Sequence, residues 1–182
     1  YQNDKVVVDD LDSAVNATNY LINSNCKRIA LLSSIENLSV IKLRAEGFFQ
    51  TFKNKGLKVD KDLVVMTDNE TDFDKQMVDF FKKNKVDGIF ALDEHASVSA
   101  LKMGLKNGYK IPEELSIIGF ADGVWSKRMT PSLSTVSQHG PEIGSVAATL
   151  LINRLESKEV DLAFKTAVVK TELRNRETTK KL

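Results

Sequence analysis

Cysteine is nearly absent from this chain. A single thiol, Cys26, in 182 residues excludes an intramolecular disulfide and suits a reducing compartment. Histidine is almost as scarce. His95 and His139 lie far apart, with neither cysteine partners nor H-E-x-x-H spacing, so no metal is expected. Glycine-rich signatures are missing too: there is no G-x-G-x-x-G, no Walker loop and no G-x-S-x-G elbow. The acidic run Asp68 to Asp74 lacks the spaced ligands and the glycine of a calcium loop. No cofactor is therefore expected, and an enzymatic reading has almost nothing to stand on. No apolar run approaches membrane-spanning length, and the opening residues resemble neither a signal peptide nor an initiator methionine. The chain is thus expected to work in the cytoplasm, away from membranes, and to be cut from something longer. Charge of one sign is also lacking, with 26 Lys and Arg against 25 Asp and Glu, so no bulk field marks a polyanion partner. Only Lys170 to Leu182 is locally basic, and that tail is expected to be solvated.

What is present is a regular alternation of two periods. KVVVDD reads as a buried strand. The helix that follows, with Asp12 or Ser13 as N-cap, places Ala14, Ala17, Thr18 and Leu21 on one face. KRIALLSS is a second strand, and the next helix, capped by Ser39, carries Arg44, Phe48, Thr51 and Phe52 in one stripe. DLVVMT, VDGIFAL and LSIIGF are further strands, separated by a helix with Phe73, Met77, Phe80 and Phe81 in register and by a helix over DEHASVSALKMGLKNG, ended by Gly108. Then the pattern changes. An irregular stretch with the lone Trp125 leads to the short strand SLSTV, a helix opened by Pro141, and a last strand near FKTAVVKTEL.

Repeated βα units with continuously apolar strands imply an α/β fold with a doubly wound parallel sheet, covered on both faces. Ligands bind such sheets outside the carboxyl ends of their strands. That rule gathers Ser33 to Leu38, Thr67 to Asp72, Leu92 to Glu94 and Phe120 to Trp125. A flat amphipathic indole in this set offers a stacking surface for a sugar or another planar ligand; its other use would be to plug a hinge or a dimer contact.

Four blocks, VDDLDSAVNATNYLINSNCKRIALL, LRAEGFFQTFKNKGL, VDGIFALDEHASVSALKMGLKNGYKIPEELSIIGFAD and TPSLSTVSQHGPEIGSVAATLLINRL, occur in order along nearly the whole chain. Together they resemble the effector-binding domain of LacI/GalR-type bacterial transcription regulators. The resemblance implies a type I periplasmic-binding-protein fold of two lobes joined by three crossovers. On that reading residues 1–10 end the N-terminal lobe, 11–130 form the C-terminal lobe, 131–160 return to the N-terminal lobe, and 161–182 supply a final strand and tail of the C-terminal lobe. It also implies a homodimer, and a helix-turn-helix headpiece, absent here, that contacts operator DNA. The fragment itself is not expected to read DNA.

The resemblance further implies an effector, a carbohydrate first, bound between the lobes. Arg44 matches the arginine of an R-x-x-G-[FY] motif that reaches effector oxygens, and it is expected to project into the crevice and to tolerate alanine without loss of thermal stability. Asp93 matches an aspartate at a strand–helix junction. The motif G-[FY]-D-[DN] appears as GFAD, with Ala121 in place of the usual effector contact, so Asp122 and Trp125 are the substitutes. Leu38 and Val40 complete the expected effector-binding set. A soluble or periplasmic sugar-binding component of a transport system shares the fold and is the alternative.

Overall fold

The computed structural model describes residues 3–120, 122–157 and 163–182. Strands β1 (Lys5–Val8), β2 (Ile29–Ser33), β3 (Val64–Met66), β4 (Gly88–Ala91), β5 (Ser116–Phe120), β6 (Ser134–Ser137), β7 (Thr166–Val169) and β8 (Glu172–Arg174) alternate with six helices. These are α1 (Asp10–Asn23), α2 (Ser39–Asn54), α3 (Glu70–Lys83), α4 (Glu94–Lys106), α5 (Val124–Arg128) and α6 (Gly140–Glu156). Six strands form one sheet in the order β3-β2-β4-β5-β6-β8, and β1 pairs in parallel with β7 in a second. The larger sheet is parallel except for β8, which runs antiparallel to β6. This is the α/β class that the repeated βα units imply.

Successive residues of the central strands serve opposite cores. Ile29 and Leu31 of β2, Phe90 of β4, and Ile118 and Phe120 of β5 pack with α1 and α2; Ala30, Leu32, Ile89, Ala91 and Ile117 pack with α3 and α4. The two-residue period of a strand, with helices on both sides, therefore requires apolar residues at every position. Phe48 and Phe73 are the large plugs of the two cores, both fully buried, each contributing about 2 to 3 kcal/mol by leaving water. Helices α1 and α2 touch closely. A Cβ on Gly47 would lie 2.6 Å from the Leu11 carbonyl oxygen and 2.7 Å from the Ala14 methyl, so only glycine allows this approach.

Two helix starts differ from the expected caps. Helix α1 begins at Asp10 behind Asp9 rather than at Asp12 or Ser13, and α2 begins at Ser39 with Leu38 at the cap position, with no side-chain cap in either. The Asp9 carboxylate is engaged elsewhere, accepting from the Thr171 backbone N–H at 2.8 Å.

The expected lobe boundaries also shift. SLSTV does not leave the main sheet; as β6 it pairs along β5, so the chain departs at Gln138 and His139 rather than at 131. The stretch after 161 holds not one strand but two, β7 beside β1 and β8 beside β6. An unbroken alternating run conceals a change of sheet at Lys170 and Thr171, because periodicity records burial and not the partner. Residues 158–162, on which one boundary falls, lie outside the described residues.

The tail is not solvated. Thr178 and Thr179 are buried; the Thr178 hydroxyl donates to the Ile117 carbonyl and accepts from Ser134 N–H, both at 2.8 Å, and the Thr178 carbonyl accepts from Ile117 N–H at 2.7 Å. Short polar side chains thus satisfy backbone groups at the amino ends of β5 and β6, which composition alone does not reveal. No helix among the described residues is long and apolar enough to cross a membrane.

Helix α6 buries none of its residues. Leu151, Ile152 and Leu155 are 58%, 51% and 75% exposed. An apolar surface of this kind favours association in water. We expect the mass of this chain in sedimentation to rise with protein concentration, and the double substitution Leu151→Lys, Leu155→Lys to restore a monomer. A monomer at all concentrations would refute the expectation.

Candidate functional site

The carboxyl ends of β2, β4 and β5 meet in a layer of internally paired charges. Asp93, after β4, accepts hydrogen bonds from the Ser33 hydroxyl, the Ser34 N–H, the Ser34 hydroxyl and the Ala96 N–H, each at 2.8 Å. It caps α4 and ties β2 to β4. Of the expected effector contacts, Asp93 therefore has both carboxylate oxygens committed to the strand–helix junction.

Arg44 lies deeper than expected. Its guanidinium stacks on the Phe120 ring at 3.5 Å from the centroid, its Nε donates to Asp10 at 2.7 Å, and its Nη1 donates to the Leu92 carbonyl at 2.7 Å. The residue is only 6% exposed. Burial pushes its pKa down, and the Asp10 and Asp93 carboxylates oppose that shift. Two of its donors are thus spent on holding the end of β4 to the start of α1, while its face covers Phe120 at the end of β5.

Asp122 is the second hub. Its side chain, 4% exposed, accepts from Arg176 Nη2 at 2.5 Å, Thr135 at 2.9 Å and Ser126 at 3.1 Å, and from Arg174 Nη1. Burial alone would raise the carboxyl group; the hydrogen bonds from Arg176 and Thr135 and the Arg176 charge outweigh it and hold the group at about 2. As an effector contact Asp122 would have to surrender one of these partners. Ala121, expected to leave a gap in the usual contact set, lies outside the described residues.

Trp125 is 67% exposed. It lines a concavity of about 420 Å³ together with Ser34, Ile35, Glu70, Asp93, Glu94 and His95. A second concavity, of about 610 Å³, opens on the other side of α5, among Asp122, Lys127, Gln138, His139 and Arg174. Of the six expected residues, the structure brings Trp125 and Asp93 to one concavity and Asp122 to its neighbour, with Arg44 beneath. Leu38 is half exposed at the start of α2 and Val40 packs against the α1–α2 core; neither lines these two concavities.

Sequence reasoning missed Arg174 and Arg176. Their i, i+2 spacing puts both on one side of an extended strand, and two cations on a partly buried face require an acid opposite. That signal was legible in ELRNRETT. Which acid answers it was not, because Asp122 is more than fifty residues away in sequence.

Residues 18–179 match the family of periplasmic binding protein-like domains. The chain belongs to this family. Its relatives include LacI-type regulators, as the sequence resemblance implies. The HTH-type transcriptional repressor CytR of Escherichia coli strain K12 is 28% identical over 159 residues, which is 85% of this chain and 46% of that protein. The ribose operon repressor of Halalkalibacterium halodurans is 30% identical over 167 residues, covering 90% of this chain and 49% of that protein. A solved LacI family transcriptional regulator from Enterococcus faecium with bound ribose has a TM-score of 0.83 at 23% identity, covering 98% of this chain and 66% of that one. The chain spans about half the length of the curated relatives it matches.

Two stability effects follow for this periplasmic-binding-protein-like domain. Arg44→Ala leaves the Asp10 carboxylate buried without its partner, and we expect a loss of about 3 to 5 kcal/mol in urea unfolding, against the sequence expectation of unchanged stability. An unchanged midpoint would show that the pair is dispensable. Asp122 has a folded value of about 2 against an ordinary 3.8, so its contribution is complete above pH 4 and is lost as the pH falls toward 2. The loss is about 2 kcal/mol, measurable by urea titration from pH 5 to pH 2, and it should be absent from Asp122→Asn.

Proposed function

We propose that this chain is the effector-sensing part of a LacI-type transcription regulator, cytoplasmic and homodimeric, whose effector is a hydroxyl-rich small molecule, a carbohydrate first. The effector lies at the carboxyl edge of the six-stranded sheet. Its binding biases the arrangement of the two sheets, and that bias changes the operator affinity of a helix-turn-helix headpiece in the part of the relatives that this chain does not span.

The observation that carries this reading is Trp125. Phe48, Phe73, Phe90 and Phe120 are fully buried, whereas the only tryptophan is 67% exposed beside a concavity at the ligand-binding edge of the fold. An indole there stacks on the C–H face of a sugar, and Glu70 and Glu94 at the same concavity accept from hydroxyl groups. His95 at the same concavity adds a ring N–H of the opposite polarity. Transport proteins share the fold, but the curated relatives reported above are regulators and not enzymes or transporters, which favours the sensor.

The test is calorimetric titration with a panel of pentoses, hexoses and nucleosides. Once a ligand is found, Trp125→Ala should weaken it about tenfold, equivalent to about 1.4 kcal/mol, and Trp125→Phe should retain most of the affinity. A ligand whose affinity ignores Trp125→Ala would overturn the proposed contact. Absence of binding by every member of the panel would overturn the carbohydrate class.

A further inference from the structure

Among the described residues the chain passes between its two sheets at three places: at Asp9 between β1 and α1, at Gln138 and His139 between β6 and α6, and at Lys170 and Thr171 between β7 and β8. These crossings are fastened to one another. Asp9 accepts from Thr171 N–H at 2.8 Å and pairs with the Lys170 ammonium at 3.2 Å. His139 Nε2 lies 3.8 Å from Glu172 Oε2, so the second crossing reaches the third.

From Glu172 a line of polar contacts runs to the ligand edge. Glu172 Oε2 accepts from Arg174 Nε at 3.1 Å; Arg174 Nη1 donates to Asp122 Oδ2; Asp122 stands two residues before α5 in the chain, and its Oδ1 shares the Ser126 hydroxyl proton, at 3.1 Å, with the Gly123 carbonyl at 2.7 Å. Ser126 is the one buried residue of α5, and its carbonyl also accepts from Leu133 N–H at 2.8 Å. Trp125 is its neighbour in the chain. Arg176 also holds Asp122, but its other hydrogen bonds go to Leu133 and Thr135 within the large sheet. Only Arg174 of the two joins Asp122 to a residue at the crossings.

We propose that Arg174 is a positioning residue that couples the sheet-to-sheet crossings to α5, and thereby sets where Trp125 stands at the ligand edge. Glu172 sits at the first rung of β8, opposite Ser137, between the Gln138–His139 and Lys170–Thr171 crossings, so a change in the angle between the sheets acts on it first. Arg174 follows Glu172. The Asp122 carboxylate is nearly inaccessible to water, so it cannot exchange Arg174 for solvent without losing a charged partner, and it carries Ser126 along. The coupling is a physically continuous set of contacts with a sheet rearrangement at one end and a ligand-facing ring at the other. It rests on the effector reading only for what Trp125 touches.

The single tryptophan of the chain is its own probe. Acrylamide quenching of Trp125 fluorescence, without ligand, is compared among the wild type, Arg174→Gln, Glu172→Gln, Arg174→Lys and the control Arg128→Gln on the same short helix. Quenching should steepen in Arg174→Gln and Glu172→Gln, return toward the wild-type slope in Arg174→Lys, and stay unchanged in Arg128→Gln, with circular dichroism verifying the fold. Unchanged slopes in folded Arg174→Gln and Glu172→Gln overturn the coupling. If Arg174→Gln does not fold, Glu172→Gln decides alone, because Glu172 is exposed and its replacement removes only the link to the crossings. Failure of the effector reading is separately visible: saccharides would leave the wild-type emission unchanged while the variant slopes stood.

Discussion

A carboxylate out of reach of water cannot remain unpaired, and Asp122 satisfies that constraint with two arginines from the end of the chain. The consequence is architectural. Arg174 and Arg176 bring the C-terminal segment onto the edge of the sheet, where β8 pairs antiparallel with β6, and the segment continues until Thr178 and Thr179 fill hydrogen-bonding needs at the opposite end of β5 and β6. The loop after β5, the short helix α5 and the last ten residues therefore behave as one unit.

The same economy of charge governs the rest of the ligand edge. Asp93 is saturated by serine hydroxyls and backbone N–H groups, and Arg44 is divided between Asp10, the Leu92 carbonyl and the Phe120 ring. Each group costs too much to bury unsatisfied, so the innermost polar residues are spent on joining elements. What faces outward is the indole of Trp125 with Glu70 and Glu94 at its concavity. A residue type that suits ligand recognition can thus serve the scaffold instead, and burial is what separates the two uses.

The strand and helix order and the two stripes of phenylalanine were legible in the sequence because each depends on local periodicity. The stripe Arg44, Phe48, Thr51, Phe52 is buried as its spacing demands. The direction in which Arg44 points was not legible, since a helix places an arginine on a face without saying whether an acid such as Asp10 waits there. The tail failed for a related reason: a thirteen-residue stretch with eleven polar residues reads as a solvated run until the acid and the backbone groups that they satisfy come within reach.

By itself the sequence determined the α/β class, the two-sided burial of the central strands and the position of Trp125 after the fifth strand, because these follow from period and chain order. Only the tertiary structure decided which charges are partners, where the chain changes sheets, and that Arg44, Asp93 and Asp122 hold the edge together while Trp125 remains exposed. Long-range pairing brings together residues as distant as Asp122 and Arg176, and its energy depends on geometry and desolvation, neither of which is written in any local stretch of sequence.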